Sequence, residues 1–137
     1  LQTIADSKLA AIAEKSLKEV NYHVRWSGEW VIRLGDGTEE SKSRILNAID
    51  ALWPFAGEMN EAVSYEKSIH DQYGIDSSVL KLQWQEKINE VFEEASLYVP
   101  ANSFLQQGGK TGTHTERLGY ILSDLQYLQR TYPNAQW

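Results

Sequence analysis

The sequence predicts an all-α protein, an antiparallel helical bundle, from three observations. Apolar residues recur at helical spacing along almost all of the 137 residues, and alternating strand patterns are lacking. Three prolines and nine glycines leave room for long uninterrupted helices. The connections between the apolar stretches are mostly short, which favours antiparallel neighbours. A chain that is 42% hydrophobic and 23% charged fits a single globular domain over residues 1–137.

The first long helix is predicted over residues 7–34. Asp6 or Ser7 can cap its start by accepting a backbone N–H. Gly35 and Gly37 are expected to end it, because glycine tolerates the left-handed turn that closes many helices. The apolar residues of this helix form one stripe: Leu9, Ile12, Ala13, Leu17, Val20, Val24, Val31 and Leu34.

A second helix is predicted to start near Thr38. Glu39 and Glu40 lie in its first turn, where carboxylates favour the positive end of the helix dipole. Pro54 falls inside the apolar pattern and lacks an N–H, so we expect it to kink or restart the helix. A short helix is then predicted over residues 65–73. The apolar face of the second helix comprises Ile45, Ala48, Ile49, Leu52, Phe55 and Met59.

The last half of the chain is predicted to hold two longer helices. Gly74 stops the short helix, and Asp76 caps a third long helix over about residues 78–97. Residues 100–113 are expected to form a loop, because three glycines interrupt them. A last helix is predicted over about residues 113–132, with Leu118, Ile121, Leu122, Leu125 and Leu128 facing inward.

Composition excludes several classes of partner and chemistry. The formal net charge of -6 and the pI of about 5.0 disfavour binding to nucleic acid. The absence of cysteine excludes disulfides, thiolate metal sites and cysteine nucleophiles. No apolar run approaches the roughly 20 residues that cross a bilayer, so no membrane partner is expected. We expect a cytoplasmic protein. The start at Leu1 also predicts the C-terminal portion of a longer protein, without its N-terminal helices.

The histidines and carboxylates do not form the pattern of a di-metal site. Helical bundles that bind two iron or manganese ions use Glu-x-x-His on two helices and a further Glu on two others. No Glu or Asp here has a His three residues later, so no complete metal site is predicted in this chain. Glu19 and His23 share a helix face at a spacing of four. They are either relic ligands or, as such pairs commonly are, a hydrogen-bonded or surface pair.

Two short motifs imitate known sites without completing them. His114 and Glu116 have the His-x-Glu spacing of zinc deaminases, but that chemistry also needs two cysteines. His114 is instead expected in the first turn of the last helix. Residues 108–111 imitate the end of a phosphate-binding loop, yet Phe104 stands where the full pattern requires glycine. The glycine amides and Lys110 could still attract an anion, although a flexible loop with a solvated lysine is favoured.

Five tryptophans are many for a chain of this length. Core packing explains each one singly, but tryptophan and tyrosine are also enriched at protein interfaces. Many tryptophans and no catalytic set together suit a component of a larger assembly. The tryptophans are Trp26, Trp30, Trp53, Trp84 and Trp137.

Four stretches carry a resemblance to a known family. They are residues 18–26 (KEVNYHVRW), 33–38 (RLGDGT), 108–119 (GGKTGTHTERLG) and 124–130 (DLQYLQR). These stretches resemble the C subunits of the ring-1,2-phenylacetyl-CoA epoxidases of bacterial aromatic degradation. The similarity covers essentially all of the chain, and its motifs are longer and more specific than generic helix composition.

The resemblance implies a ferritin-like fold and a structural role. Family members are nearly twice this length. Their C subunit pairs with a homologous A subunit, which carries the di-iron centre and the substrate site, and has itself lost the iron ligands. Further subunits deliver electrons from NADPH through flavin and iron–sulfur centres. The complex inserts one oxygen atom of O2 into the ring of phenylacetyl-CoA. The resemblance therefore implies an enzyme complex in which this chain is non-catalytic and holds no cofactor.

The chain is then expected to act through its surface by supporting the A subunit, with contacts to other subunits or to a second copy also open. A weaker hypothesis places Lys110 near a phosphate of coenzyme A. One alternative is an independent di-iron or di-manganese oxidoreductase with ligands partly outside this chain. Another is a helical adaptor unrelated to oxygenases. The interface candidates are Arg25, Trp26, Trp30, Arg33, Lys110 and His114.

Overall fold

The computed structural model describes residues 1, 4–101 and 104–136, and its regular elements there are all helical. The predicted all-α fold class is confirmed. The chain divides into two compact units, Leu1–Gln106 and Gln107–Trp137, which are described separately below. None of the helices within the described residues combines the length and apolar character needed to cross a membrane.

Helix α1 spans Ser7–Gly35, one residue longer than predicted. The Asp6 carboxylate caps it by accepting the backbone N–H groups of Lys8 and Leu9 at 3.0 and 3.1 Å. The expected left-handed turn at Gly35 and Gly37 is wrong, because neither glycine has a positive φ. These glycines instead provide space. A Cβ at Gly35 would lie 3.0 Å from the Ala95 Cβ, and one at Gly37 would lie 2.6 Å from the Ser41 hydroxyl oxygen.

Helix α2 spans Glu39–Leu52 and follows α1 after a short turn. The Thr38 hydroxyl oxygen caps it by accepting the Ser41 N–H at 3.2 Å. At Pro54 the α-helix gives way to a 3-10 turn, Trp53–Phe55. A second 3-10 turn follows at Gly57–Asn60. The predicted effect of the proline is confirmed, since its missing N–H ends the α-helical ladder.

Helix α3 spans Ser64–Tyr73 and ends at Gly74, which adopts a left-handed φ of 66° as expected. Helix α4 spans Ser77–Glu94. The Asp76 carboxylate caps α4 by accepting the Ser78 N–H at 2.8 Å and the Ser78 hydroxyl at 2.6 Å. The predicted end of this helix at residue 97 is wrong by three residues.

A left-handed turn explains why α4 ends early. Ser96 has a φ of 53°, the one positive value at a non-glycine residue within the described chain. Its N–H donates to the Glu93 carbonyl, and the Leu97 N–H donates to the Phe92 carbonyl at 2.8 Å. These two bonds form a Schellman motif, which satisfies the last carbonyls of a helix and usually brings an apolar residue back onto it. Here that residue is Leu97.

The core of Leu1–Gln106 lies where the C-terminal end of α1 meets α2 and α4. Among the described residues, Phe92, Ala95 and Leu97 are its buried hydrophobic members. Trp53 packs on Phe92 at a ring separation of 5.9 Å and stacks on Trp84 at 6.0 Å. Nine partly buried side chains surround these residues: Val31, Ile32, Ile45, Leu46, Ile49, Trp53, Ile88, Val91 and Val99.

The unit Gln107–Trp137 holds α5, Arg117–Leu125, and the short helix α6, Tyr127–Thr131. The single last helix predicted over residues 113–132 is therefore wrong at its start and in its continuity. The apolar residues expected to face inward remain largely exposed: Ile121, Leu122, Leu125 and Leu128. Trp137 lies outside the described residues.

Candidate interaction surface

Glu19 and His23 form a solvated pair on the surface of α1. The His23 Nε2 and Glu19 Oε1 atoms are 3.8 Å apart, and two-thirds or more of each side chain is exposed. The described part of the chain contains no group of three or more histidine or carboxylate side chains that could hold a metal ion. The geometry supports the surface-pair interpretation of these two residues.

A row of aromatic and arginine side chains occupies the same stretch of α1. We call it the aromatic–arginine ladder: Tyr22, Arg25, Trp26, Trp30 and Arg33. Trp26 and Trp30 meet edge to face, with ring centroids 6.3 Å apart. The Arg25 guanidinium carbon lies 5.9 Å from the Tyr22 ring centroid, and that of Arg33 lies 5.5 Å from the Trp30 centroid. These distances fit cation–π contacts, which hold the side chains in place without a partner.

Glu29 connects the two arginines of the ladder. One carboxylate oxygen lies 3.8 Å from the Arg25 Nε and the other lies 3.8 Å from an Arg33 amino nitrogen. Exposed ion pairs of this kind contribute little to stability, because water screens both charges. They do show that both guanidinium groups lie along one helix face, on either side of Glu29. The ladder therefore presents two guanidinium groups with one carboxylate between them, on a chain of net charge -6.

The ladder has the composition of a protein-binding surface. Trp26 and Trp30 are 54% and 44% exposed, which is unusual for the largest apolar side chain. A cleft of about 320 Å³ lies beside them, lined by Tyr22, His23 and Trp26. Tryptophan, tyrosine and arginine supply most of the binding energy at many interfaces. Four of the predicted interface residues are therefore brought together on one exposed face.

The other two predicted interface residues lie in a tight loop of the second unit. Gly108 and Gly112 have φ values of 100° and 97°. The Thr111 and Thr113 N–H groups both donate to the Gly108 carbonyl, at 3.0 and 2.7 Å. The Gly112 N–H also donates within the loop. Three amides are thus already bonded and unavailable to an anion, which removes much of the support for anion binding by this loop.

The expected position of His114 is wrong, because α5 begins only at Arg117. His114 lies in the irregular stretch before the helix and is exposed. Lys110 occupies the 3-10 turn Gly109–Thr111 and is partly buried. Contact of Lys110 with coenzyme A stays a prediction, and unchanged substrate affinity in Lys110→Ala would contradict it.

A second surface of α1 was not identified from the sequence. An open groove of about 680 Å³ lies between α1 and α4, and its lining is mostly apolar. Val20 and Val24 on α1 face Leu80, Trp84 and Ile88 on α4 across it. The apolar stripe of α1 was predicted from the sequence, but the groove that it forms with α4 was not. Whether such a stripe lies in a closed core or in an open groove depends on the positions of the neighbouring helices. The periodicity of one helix does not report those positions.

The α1–α4 groove and the ladder lie on different sides of the same helix. At 3.6 residues per turn, Val24 and Trp26 point about 160° apart around the axis. One helix therefore presents an apolar face and an aromatic face that carries two arginines.

Comparison with known proteins identifies the family. The family model described as phenylacetic acid catabolic protein matches residues 1–137. The chain belongs to this family. It is 39% identical over 133 residues to the C subunit of the 1,2-phenylacetyl-CoA epoxidase of Escherichia coli (strain K12), a match that covers 96% of this chain and 54% of that relative. The chain thus spans about half the length of this E. coli relative. The family resemblance predicted from the sequence is confirmed.

Proposed function

We propose that this phenylacetic acid catabolic family protein is a non-catalytic structural subunit of a 1,2-phenylacetyl-CoA epoxidase. The observation that carries the proposal is the 39% identity to the E. coli relative along nearly the whole chain. The lack of a Glu-x-x-His pair supports it, because the di-metal sites of helical bundles are built from that pattern. In this proposal, phenylacetyl-CoA and O2 react at the di-iron centre of the A subunit.

The chain would contribute binding surface to the complex rather than chemistry. A reductase carrying flavin and iron–sulfur centres would deliver electrons from NADPH, and none of these groups would be held here. The aromatic–arginine ladder is the surface that we assign to the A subunit. Its aromatic rings are exposed, and its guanidinium groups are held in place by cation–π contacts at 5.9 and 5.5 Å. A preorganised surface loses less side-chain freedom on binding, which raises affinity.

The proposal is tested by co-expressing the chain with a tagged A subunit of the epoxidase. The material that the tag retains is then sized and its iron is counted. We expect a stable complex whose iron is accounted for by the A subunit. No complex, together with iron in this chain alone, would contradict the proposal and favour an independent di-iron or di-manganese oxidoreductase.

The ladder is tested in the same co-expression experiment. Trp26→Ala combined with Trp30→Ala should weaken retention of the A subunit at least tenfold, because interface tryptophans commonly contribute about 2 kcal/mol or more each. Charge reversal of Arg25 and Arg33 to Glu should weaken it as well. Arg44→Glu is the matched control, since Arg44 is equally exposed and pairs with Glu40 on α2 at 2.7 Å. Unchanged retention of the A subunit in the ladder variants would contradict the assignment of this surface to the A subunit.

A further inference from the structure

The charges of this chain are divided unevenly between α1 and the remainder. Helix α1 carries five lysine and arginine residues and three glutamates. The whole chain carries 13 basic and 19 acidic residues, so the remainder carries eight basic and 16 acidic ones. With histidine neutral, α1 has a net charge of +2 and the remainder one of -8. The basic residues of α1 are Lys8, Lys15, Lys18, Arg25 and Arg33.

The basic residues of α1 lie on the side of the helix that carries the ladder. At 3.6 residues per turn, all five point within about 100° of Trp26 around the axis, and three point within about 20° of it. Two of the three glutamates lie on this side, and all of these charged residues are exposed. The three nearest Trp26 are Lys8, Lys15 and Arg33, and the two glutamates are Glu19 and Glu29. This side of α1 is therefore net basic.

The guanidinium groups of the ladder have hydrogen-bond donors to spare. The Glu29 oxygens lie 3.8 Å from the Arg25 and Arg33 nitrogens, which is too long for a hydrogen bond. On α2, by contrast, the Arg44 Nε donates to Glu40 at 2.7 Å. A guanidinium group has five N–H donors in a planar fork that fits a carboxylate. Carboxylates from a partner can therefore bind Arg25 and Arg33 without breaking a hydrogen bond to Glu29.

The order of residues along the ladder defines the shape of its counterpart. Trp26 and Trp30 lie between Arg25 and Arg33, which are about 12 Å apart along the axis at 1.5 Å per residue. Protein interfaces commonly have an aromatic centre and a polar rim. The matching surface therefore has an apolar centre with carboxylates about 12 Å apart on either side of it.

A protein segment fits this surface better than an extended polyanion does. Nucleic acid and anionic membranes carry many negative charges, which the net charge of -8 on the remainder of the chain repels. They also offer no apolar centre flanked by two isolated charges. A partner protein can supply two carboxylates at the ladder alone.

We propose that the ladder binds an acidic segment of the A subunit, whose carboxylates pair with Arg25 and Arg33. This inference rests on the proposed function and names the chemistry of the partner surface. Trp26 and Trp30 contact the apolar part of the segment between those carboxylates. Glu29 carries the same charge as the segment and lies between the two arginines, so it opposes binding.

Glu29→Gln tests the charge of the partner through a gain of binding, which misfolding cannot imitate. It removes the opposing carboxylate and keeps the side-chain shape. We expect the chain to associate about threefold faster with the immobilised tagged A subunit. Glu40→Gln is the matched control, because it removes the same charge from a 72% exposed glutamate on α2, and its rate should stay unchanged. Biolayer interferometry measures both rates.

Salt separates the contribution of charge from that of apolar contact. Arg25→Gln combined with Arg33→Gln should slow association about tenfold at about 0.05 M salt. At about 0.5 M salt, charges more than a few ångströms apart are screened, so the rates of this variant and the unmodified chain should converge. Arg44→Gln is the control and should associate at the unmodified rate at both salt concentrations.

Failure of this inference and failure of the proposed function give different results. A complex whose association rate is independent of salt, or equal in Glu29→Gln and Glu40→Gln, would overturn the acidic segment and leave the structural role unaffected. Lack of any complex with the unmodified chain would overturn both. Self-association of the chain that Glu29→Gln accelerates would also overturn the inference, because a second copy would then be the occupant.

Discussion

The two ends of α1 carry the same apolar stripe but have different surroundings. At the C-terminal end, Val31 and Ile32 pack on the core and Gly35 is buried against α4. At the other end, Leu9 and Leu17 are 40% exposed although they belong to the same stripe. The difference does not come from residue type, since both ends are built from leucine, isoleucine and valine. It comes from which neighbouring helices pack on each end.

A helical stripe of apolar residues is often taken to show both that one side needs an apolar neighbour and that this neighbour is present. Periodicity reports which side of a helix needs an apolar neighbour. It does not report whether that neighbour lies in the same stretch of polypeptide. At the N-terminal end of α1 the stripe is left partly exposed, with Leu9 and Leu17 each 40% exposed.

Truncating one apolar side chain in the core beside the C-terminal end of α1, and one in the open groove, tests this difference in packing most strongly. Phe92 is 7% exposed and packs on Trp53, so Phe92→Ala should lower the free energy of unfolding by about 3 kcal/mol. Val24→Ala should change it by less than about 0.5 kcal/mol, because Val24 is 45% exposed. Urea unfolding monitored by circular dichroism measures both. Equal losses would show that the groove end is closed in solution.

Alanine substitutions at Gly35 and Gly28 test the same difference in packing without removing a side chain. Gly35→Ala places a Cβ against the Ala95 carbonyl oxygen and 3.2 Å from the Leu97 Cγ, so it should cost about 2 kcal/mol. Gly28→Ala meets Val91 at an ordinary 3.4 Å and should stabilise the chain by up to about 0.8 kcal/mol through helix propensity. Unfolding midpoints of the two variants should move in opposite directions. Movement in the same direction would contradict the close approach at Gly35.

A substitution in the left-handed turn after α4 should have a smaller, stabilising effect on the free energy of unfolding. Ser96 is held at a φ of 53°, a conformation that costs a residue with a Cβ about 1 kcal/mol. Ser96→Gly should raise the free energy of unfolding by about that amount, less the greater chain entropy of glycine. Ser43→Gly on the exposed side of α2 is the control and should destabilise. Loss of stability in Ser96→Gly would contradict the left-handed turn.

The smallest expected effect concerns the start of α4, beside the open end of the groove. A hydrogen bond from the Ser78 hydroxyl, followed by one from its N–H, lowers the pKa of Asp76 from its ordinary 3.8. Because the folded pKa is depressed, this cap stabilises the helix above about pH 4, and its contribution is lost as the pH falls through the folded pKa. Carboxyl carbon NMR should show the Asp76 titration moving back toward 3.8 in Ser78→Ala. An unmoved titration would contradict the cap.

Much of the fold could be predicted because its signals are local. The caps at Asp6, Thr38 and Asp76 and the left-handed end at Gly74 depend on residues within a few positions of each helix terminus. Pro54 acted as expected for the same reason. The single domain, the missing N-terminal helices and the cytoplasmic location stay predictions.

The errors have physical causes outside local propensity. Gly35 was interpreted as part of a left-handed turn, whereas it provides room for Ala95 at the end of α4, which lies far away along the chain. Ser96 takes a conformation that serine rarely adopts, so no sequence signal marked the end of α4. For the candidate surface, Arg25, Trp26, Trp30 and Arg33 were chosen only as the aromatic and basic residues of the first helix. The cation–π arrangement and the groove required three-dimensional positions.

The Schellman motif at the end of α4 also bears on the order of folding. Its bonds join residues at most five positions apart, so the corner that holds Leu97 against Phe92 can form as soon as α4 does. The contact of Gly35 with Ala95 instead requires closure of a loop of about 60 residues, which is entropically slower. We therefore expect a transition state in which α4 and its corner are structured before α1 arrives. Leu97 would then take part in an early contact, with Phe92, and in a late one, beside Gly35.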